Sequence, residues 1–520
     1  MQNRKTLSFF SVVSFLFYSV CLAANAASFD PALQRELTII SSPHAYDLNP
    51  HTATYADESQ VLTGLYEGLF SYNPYSLEPE LALVESFKVS RNKKNWTFTL
   101  RKNAHFSNGE VITAEHVKKS WLALLEPGLQ APFASLLDCI AGVADYRNGK
   151  AKKPDAIGIE VKDERTLVVK LVNPTEHLSR ILCHHAFAVV HPDKNVYSGA
   201  FVLESFSPET IVLKKNPVYW DSGSVALPYV RFILSDNSQS NTFDFNVGNV
   251  QWVDGAIDSG KVLLRNSIML SSQFGTEYLF FKCGKKPYSD ERVRNALLYA
   301  IPNDEIRKNS FIKANSLVLP LSGYPEVLGA PELDLDEAAS LLKTAGYGKG
   351  RKLTINICFS NDDTSKRRAE LLAKAWQPLG IEVNASFLEV DQYLASVEKG
   401  DADFYSYSWI GDFADPLAFL ELFRGSSSLN VTGWKNQKYD AILSEASAMS
   451  NNEQRFAKLA EAEQLLLDSG VIYPICHTVS FNVIDNEVIG GWYDNALNIH
   501  PLKYIKFIQP ALPANIVMAN

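Results

Sequence analysis

Between residues 353 and 388 the chain spells a strand, a helix and a second strand with almost nothing in between, and this order limits its fold more than any other feature. Leu353-Thr-Ile-Asn-Ile-Cys-Phe359 is a short apolar, β-branched run of the kind that forms a buried strand. Across residues 362–377, Ala369, Leu372, Ala373 and Trp376 recur at i, i+3, i+4 and i+7, which makes one apolar helix face. Pro378 and Gly380 close that helix, and Ile381–Leu388 is the next strand. Strand, helix and strand joined by short loops are the grammar of an α/β layer.

Neighbouring segments extend the pattern. Residues 336–345 read as a helix capped by Asp334 or Asp336 and stopped at Gly346. Asn452–Asp468 places Phe456, Leu459, Ala460 and Leu466 near one face, with Gly470 just past its end. Residues 403–409 form a short aromatic strand that enters the loop Gly411 to Pro416. The first half differs, because residues 95–101 and 166–171 alternate polar and apolar, which predicts strands with one wet face. There Thr113 is a capping threonine with His116 three residues on, opening a helix through Val117, Trp121 and Leu124.

So much alternating structure needs several cores. At about 150 residues per domain, 520 residues allow about three. The balance of 49 basic and 58 acidic residues, with no long basic block, excludes the footprint of a nucleic-acid binder.

The N-terminus predicts export. Arg4 and Lys5 lead into an uncharged run over 7–22, followed by Ala24-Asn25-Ala26, the small-x-small pattern of a signal-peptidase site. Cleavage after Ala26 removes two positive charges and takes the net charge from −9 to −11. No later stretch of 18 apolar residues follows, as a membrane helix would need. Lipid attachment at Cys21 is disfavoured by the bulky residue among Tyr18-Ser19-Val20. Five cysteines remain after cleavage: Cys139, Cys183, Cys283, Cys358 and Cys476. Scattered, odd in number and without CxxC spacing, they indicate neither zinc nor a disulfide scaffold.

Catalytic constellations are missing from the sequence. There is no GxSxG elbow, no HExxH, no SxxK with SDN and KTG, and no Walker loop. Gly346-Tyr-Gly-Lys-Gly350 sits at a helix end, where a C-cap explains it. His184-His185, read as neighbours on a strand, point to opposite faces, so they do not converge on a metal.

One segment does suggest chemistry. Trp409-Ile-Gly-Asp-Phe-Ala-Asp-Pro416 fixes Asp412 at the end of a strand, between aromatics and beside a glycine whose backbone a ligand can approach. Such a carboxylate, partly desolvated by Trp409 and Phe413, suits an ammonium group. The plain alternative is an Asp-Pro turn.

Six blocks then carry a family resemblance. Asp47-Leu-Asn-Pro50, Leu65-Tyr-Glu-Gly-Leu-Phe70, residues 95–121 with Ala104-His-Phe-Ser-Asn-Gly109, Lys215-Asn-Pro-Val-Tyr-Trp-Asp221, Lys286-Pro-Tyr-Ser-Asp-Glu-Arg-Val-Arg-Asn-Ala296 and Ala339-Ser-Leu-Leu-Lys-Thr-Ala-Gly-Tyr347 stand in order from about residue 36 onward. They resemble the large peptide-type solute-binding proteins of bacterial ABC importers (family 5).

The resemblance implies a bilobed α/β fold of the periplasmic-binding-protein kind, closing on its ligand. It divides the chain into a signal peptide (1–26), a discontinuous first lobe (27–68, 191–273 and 493–520), an inserted domain (69–190) and an α/β lobe (274–492). It implies a periplasmic, monomeric binder without cofactor or catalytic residues, which delivers oligopeptides or dipeptides to an inner-membrane permease and its ATPase subunits. Asp412 matches the aspartate that pairs with a peptide's amino terminus, with Trp409, Gly411 and Phe413 around it. The strand Gly275 to Phe280, with Thr276 and Tyr278, matches a segment whose backbone pairs with an extended peptide; the alternative is a core crossover strand. Thr54 and Tyr55 match the N-terminal cleft segment.

Two departures stand out. Glu389-Val390 replaces the Glu-Trp of many oligopeptide binders, and Phe404-Tyr-Ser-Tyr-Ser408 offers no arginine to a peptide carboxylate, so the sequence assigns no anchor for that end. The competing ligand readings are a nickel chelate, haem or a sugar derivative, and the competing classes are a secreted hydrolase and an adhesin or receptor on the same scaffold.

Overall fold

The computed structural model describes residues 36–508 except Glu176, Lys349, Gly350, Asp412, Ala414 and Ser450. The expected signal peptide, with Cys21 and Ala26, lies outside the described residues, as does Asp412.

One sheet organises the chain. Its order is Ile381–Leu388, Leu353–Ser360, Phe404–Ile410, Ile268–Phe281, Ile472–Ile484, Trp252–Asp254, Leu37–Ser41, Tyr229–Leu234, Thr210–Lys215, Phe201–Phe206. At one end the first three strands run parallel, with the helices Asp363–Trp376 and Val390–Lys399 packed on them. Leu353 to Ser360 aligns residue for residue with Ile381 to Leu388, the register a right-handed strand–helix–strand unit supplies. At the other end, Leu37–Ser41 lies parallel between Tyr229–Leu234 and Trp252–Asp254. That end buries its own cluster, including Leu37, Ile39, Leu62, Phe201, Phe232 and Trp252.

The two ends are the two lobes, and two long strands join them. Ile268–Phe281 and Ile472–Ile484 pair antiparallel along most of their length. They meet over Ile268–Ser272, the register breaks between Ser272 and Thr276, and the ladder resumes from Thr276 to Phe280. Gly275 sits at that break because nothing larger fits: a Cβ there would stand 2.3 Å from Thr478 Oγ1 and 3.0 Å from the Trp409 carbonyl. A ladder interrupted midway bends more easily than a continuous one.

A separate four-stranded antiparallel sheet, in the order Val84–Val89, Asn95–Leu100, Thr166–Lys170, Ile159–Val161, lies outside the main one. Trp96, Phe98 and Leu100 are buried while the residues between them are half-exposed, the one-sided wetting that alternation predicts. Beside it Ala114–Leu124 starts at Thr113, whose backbone N–H donates to His116 Nδ1 at 3.1 Å. The cysteines 139, 183, 283, 358 and 476 are free.

Candidate ligand-binding cavity

A cavity of about 530 Å³ lies between the lobes. Thr54, Tyr55, Ala56 and Ser59 line it from the first lobe, at the start of the helix Ala56–Leu65. Phe133, His184 and His185 reach it from the segment outside the main sheet, and Leu497 and Ile499 from the C-terminal part. The second lobe supplies Glu277, the start of the Asp363–Trp376 helix, Tyr393, and the unbroken run Ser406 to Gly411.

That run has an open edge. Phe404–Ile410 pairs along its whole length with Gly275 to Phe281, but on its other side Leu353–Ser360 reaches only Phe404 and Tyr405. Gly411 N–H donates to the Phe274 carbonyl at 2.7 Å, so in an antiparallel ladder Trp409 and Tyr407 also direct their backbone groups toward the long strand. Ser406, Ser408 and Ile410 therefore direct theirs outward, to the cavity side. The Ser406 carbonyl, one of these, accepts from the Tyr393 hydroxyl. Gly411 closes the run where a Cβ would stand 2.6 Å from the Phe274 ring.

For Gly275 to Phe280 the pairing favours the alternative, a core crossover strand. From Thr276 to Phe280 that strand is paired on both sides, with Phe404–Ile410 and with Ile472–Ile484. Thr276 is fully buried, within hydrogen-bond distance of the Leu317 carbonyl at 2.7 Å and His477 Nδ1 at 2.9 Å. Tyr278 lines not the main cavity but a neighbouring hollow of about 860 Å³, shared with Thr54, Tyr407 and Trp409. The residue of this strand that does face the main cavity is Glu277, which sequence reasoning missed.

Around the loop the expected residues separate. Trp409 and Gly411 line the cavity, with Trp409 Nε1 donating to the Ala418 carbonyl at 2.9 Å and its ring 6.2 Å from Phe133. Phe413 faces elsewhere, into a hollow of about 280 Å³, where it stacks on His177. Asp415 is already engaged: Arg455 donates to both of its oxygens at 2.7 Å and the Leu417 N–H to one at 3.0 Å.

The histidines also differ from expectation. His184 and His185 lie in a 3₁₀ turn, not a strand, so their rings stand side by side 4.1 Å apart on the same wall. Ser59 Oγ lies 3.1 Å from His185 Nδ1. Burial lowers the His184 pKa to about 3 and holds His185 well below its ordinary value, so this wall is uncharged. Among the described residues no group of three or more His, Cys, Asp or Glu side chains is placed to hold a metal ion.

The charge lies opposite, in the second lobe. Arg368 pairs with Glu277, its Nη2 donating to Oε2 at 3.0 Å and its Nη1 to Oε1. Asp362 caps the helix, accepting from the Ser365 N–H at 2.9 Å. Nothing in the local spelling marked Arg368, because its partner is 91 residues away.

Hydrogen bonds also cross the cleft. The Tyr55 hydroxyl donates to Asp391 Oδ1 at 3.4 Å, Ser428 Oγ to the Pro132 carbonyl at 2.9 Å, and Arg147 Nη2 to the Ser426 carbonyl at 3.0 Å, while the Ser135 and Ser427 hydroxyls lie 3.5 Å apart.

Comparison with known proteins decides the class. The model for bacterial extracellular solute-binding proteins, family 5 Middle, matches residues 78–430. The chain belongs to this family. Its relatives include the dipeptide-binding protein DppE of Bacillus subtilis, 28% identical over 481 residues and 86% of each chain. Another is the periplasmic oligopeptide-binding protein OppA of Escherichia coli, 26% identical over 510 residues, 91% of this chain and 93% of OppA. The structure of the E. coli murein tripeptide binding protein MppA superposes with a TM-score of 0.82 at 26% identity, covering 92% of this chain and 99% of MppA. MppA in its unliganded open form, at the same identity and with 91% and 97% covered, gives 0.62. The family is one of solute binders, in keeping with the bilobed α/β fold.

Proposed function

We propose that this protein is the exported, monomeric binding component of an ABC importer, that it takes short peptides between its lobes, and that it delivers them to a membrane permease served by ATPase subunits. The observation that carries the reading is the strand edge along the cavity, which pairs with no other strand from Ser406 to Ile410. Backbone groups aimed at a ligand suit an extended main chain and ignore side-chain identity. The names of DppE, OppA and MppA, all peptide binders, support the same choice. In this reading Asp412, next after Gly411 in sequence, receives the ligand's ammonium group, and Thr54, Tyr55 and Trp409 close around it.

Closure then follows from differential affinity. The cross-cleft hydrogen bonds among the described residues are each worth only about 0.5–1.5 kcal/mol net. A ligand that fills the cavity and completes the open edge contributes only in the closed state and shifts the population there. Export with removal of residues 1–26, and the division of the chain into a three-part first lobe, an inserted domain at 69–190 and a second lobe at 274–492, belong to this proposal.

The test begins with the mass of whatever co-purifies from cells. A ladder of short peptides supports the reading, and a single non-peptide metabolite or metal complex overturns it. Asp412→Ala is expected to weaken peptide binding by about 1.5–3 kcal/mol in calorimetry, and acetylating the peptide amine should produce the same loss. An unchanged affinity in a folded variant removes Asp412 from the site.

A further inference from the structure

Resting on that peptide reading, we propose that His44 is the positioning residue of the cleft tyrosine Tyr55, and that its protonated ring sets this tyrosine for ligand binding while the neutral ring releases it.

His44 is the middle of a three-ring stack. Its ring lies 4.0 Å from that of Tyr46 and 4.1 Å from that of Tyr55, at interplanar angles of 17° and 20°. Tyr55 lines the cavity, whereas the His44 side chain is 4% exposed and stands behind the lining. Any effect of His44 on a ligand therefore passes through Tyr55.

Asp57 holds the middle ring by its edge. His44 Nε2 lies 3.0 Å from Oδ1 and 3.1 Å from Oδ2, and since a carboxylate only accepts, Nε2 carries a proton. Asp57 is fixed in turn: Oδ1 also accepts from the Glu58 N–H at 3.0 Å, and Oδ2 from the Tyr46 hydroxyl at 3.0 Å. Burial works against a second proton on the ring, but the hydrogen bond and charge of Asp57, aided by the charge of Glu58 and the Ala45 backbone, outweigh it and hold the pKa above the ordinary histidine value. Nδ1 is buried without a regular hydrogen bond among the described residues, so the charge leans on Asp57 and on the two π faces.

The outer rings are held unequally. Tyr46 is anchored by its hydroxyl, which donates to Asp57 with the Ser42 carbonyl 3.4 Å away. The Tyr55 backbone N–H is tied to Glu58 Oε2 at 3.0 Å, but its hydroxyl bonds only across the cleft, to Asp391 at 3.4 Å. Until the lobes meet, the stack on His44 is the ring contact that keeps Tyr55 in place. A cation between two π faces is attracted to both, and a neutral imidazole loses that share.

The charged groups that face the stack are Asp57 and Glu58 of the helix Ala56–Leu65, Asp254 of the strand Trp252–Asp254, which faces Tyr46 and Asp57, and Asp391 of the second lobe, which faces Tyr55. Burial pushes the Asp254 pKa up to about 7, so Asp254 titrates in the same range and has to be told apart from His44. Because the His44 pKa is raised, the contribution of the charged ring is complete below the ordinary value of about 6.5 and is lost as pH rises through the folded one. By reciprocity, a ligand that favours the set tyrosine also favours the proton on His44.

The experiment is calorimetric titration of the full mature chain with one short peptide between pH 6 and pH 8.5. The peptide's own amine titrates in this range for every variant, so the variants are compared with one another. We expect the wild type to lose about three- to fivefold more affinity over the range than His44→Gln, which is already weaker at pH 6. His44→Arg, planar and always charged, should keep the low-pH affinity once the amine titration is allowed for. Tyr55→Leu should flatten the profile as His44→Gln does, a result that a purely structural role for His44 would not give. Asp254→Asn should keep the wild-type profile; if it is the variant that flattens it, Asp254 is the switch and the proposal falls. Should the His44 variants fail to fold, the magnetic resonance of the wild-type ring decides: its pKa should be higher with peptide bound than without, and equal values overturn the proposal. Parallel profiles in the wild type and His44→Gln overturn it and leave the peptide reading intact. A wild type that binds no peptide at any pH overturns both.

Discussion

Two arginine–carboxylate pairs in the second lobe have nearly the same geometry and opposite surroundings. Arg455 and Asp415 are sealed beneath the loop that follows the Phe404–Ile410 strand, with side-chain exposures of 7% and 11%. Both oxygens are used, and the Leu417 N–H completes the set. Arg368 and Glu277 stand in the cavity wall, the carboxylate filled by four donors and the guanidinium left with an unmade bond at Nε. The first pair is buried, and its carboxylate needs nothing more. The second is complete only on its acid side. An ion pair therefore has to be judged by what remains unsatisfied after it forms, not by its distance.

Removing half of the sealed pair should give the largest effect. Arg455→Ala leaves Asp415 buried and uncompensated, and denaturant unfolding should show a loss of about 3–5 kcal/mol. Replacing both members by apolar residues of similar size should restore most of it. Arg368→Gln leaves a partly exposed carboxylate that still accepts from Ser406 and Cys476, so about 1–2 kcal/mol is expected. If the two single variants lose equal stability, the contrast between the pairs is wrong.

Acid titration sharpens the contrast. Burial pushes the Asp415 pKa up, but the hydrogen bond and charge of Arg455 outweigh it and hold the pKa below the ordinary carboxylate range. A depressed pKa contributes stability that is present above the unfolded value of about 4 and is lost as pH falls through the folded one. Stability measured between pH 5 and pH 2 should therefore fall more steeply in the wild type than in Asp415→Asn. The smallest effect is expected across the cleft. Tyr55→Phe removes one 3.4 Å contact to Asp391 and should weaken ligand binding roughly twofold, read as a faster off-rate.

What could be read from the sequence was whatever depended on near neighbours. The helix Asp363–Trp376 appears where its apolar spacing puts it, and Asn95–Leu100 buries alternate residues as its spelling requires. Pairing partners were not legible. The segment Gly275 to Phe280 looks like an edge strand only until Ile472–Ile484, almost 200 residues on, is seen to occupy its second side. His184 and His185 were misplaced because an apolar run reads as a strand, whereas tertiary packing holds it in a turn. Arg368 was hidden for a simpler reason: it adjoins the apolar helix face and looks like an ordinary surface charge until Glu277 is placed against it.

The open strand edge at Ser406 to Ile410 has one more consequence. In water, a row of unpaired backbone donors and acceptors is a template for any extended chain, including an unfolded neighbour or a second copy of the same strand. Here that template faces the cavity between two lobes. The cleft thus works as a guard as well as a grip, because an edge indifferent to side chains, which can accept many guests, is kept between the lobes and off the outer surface.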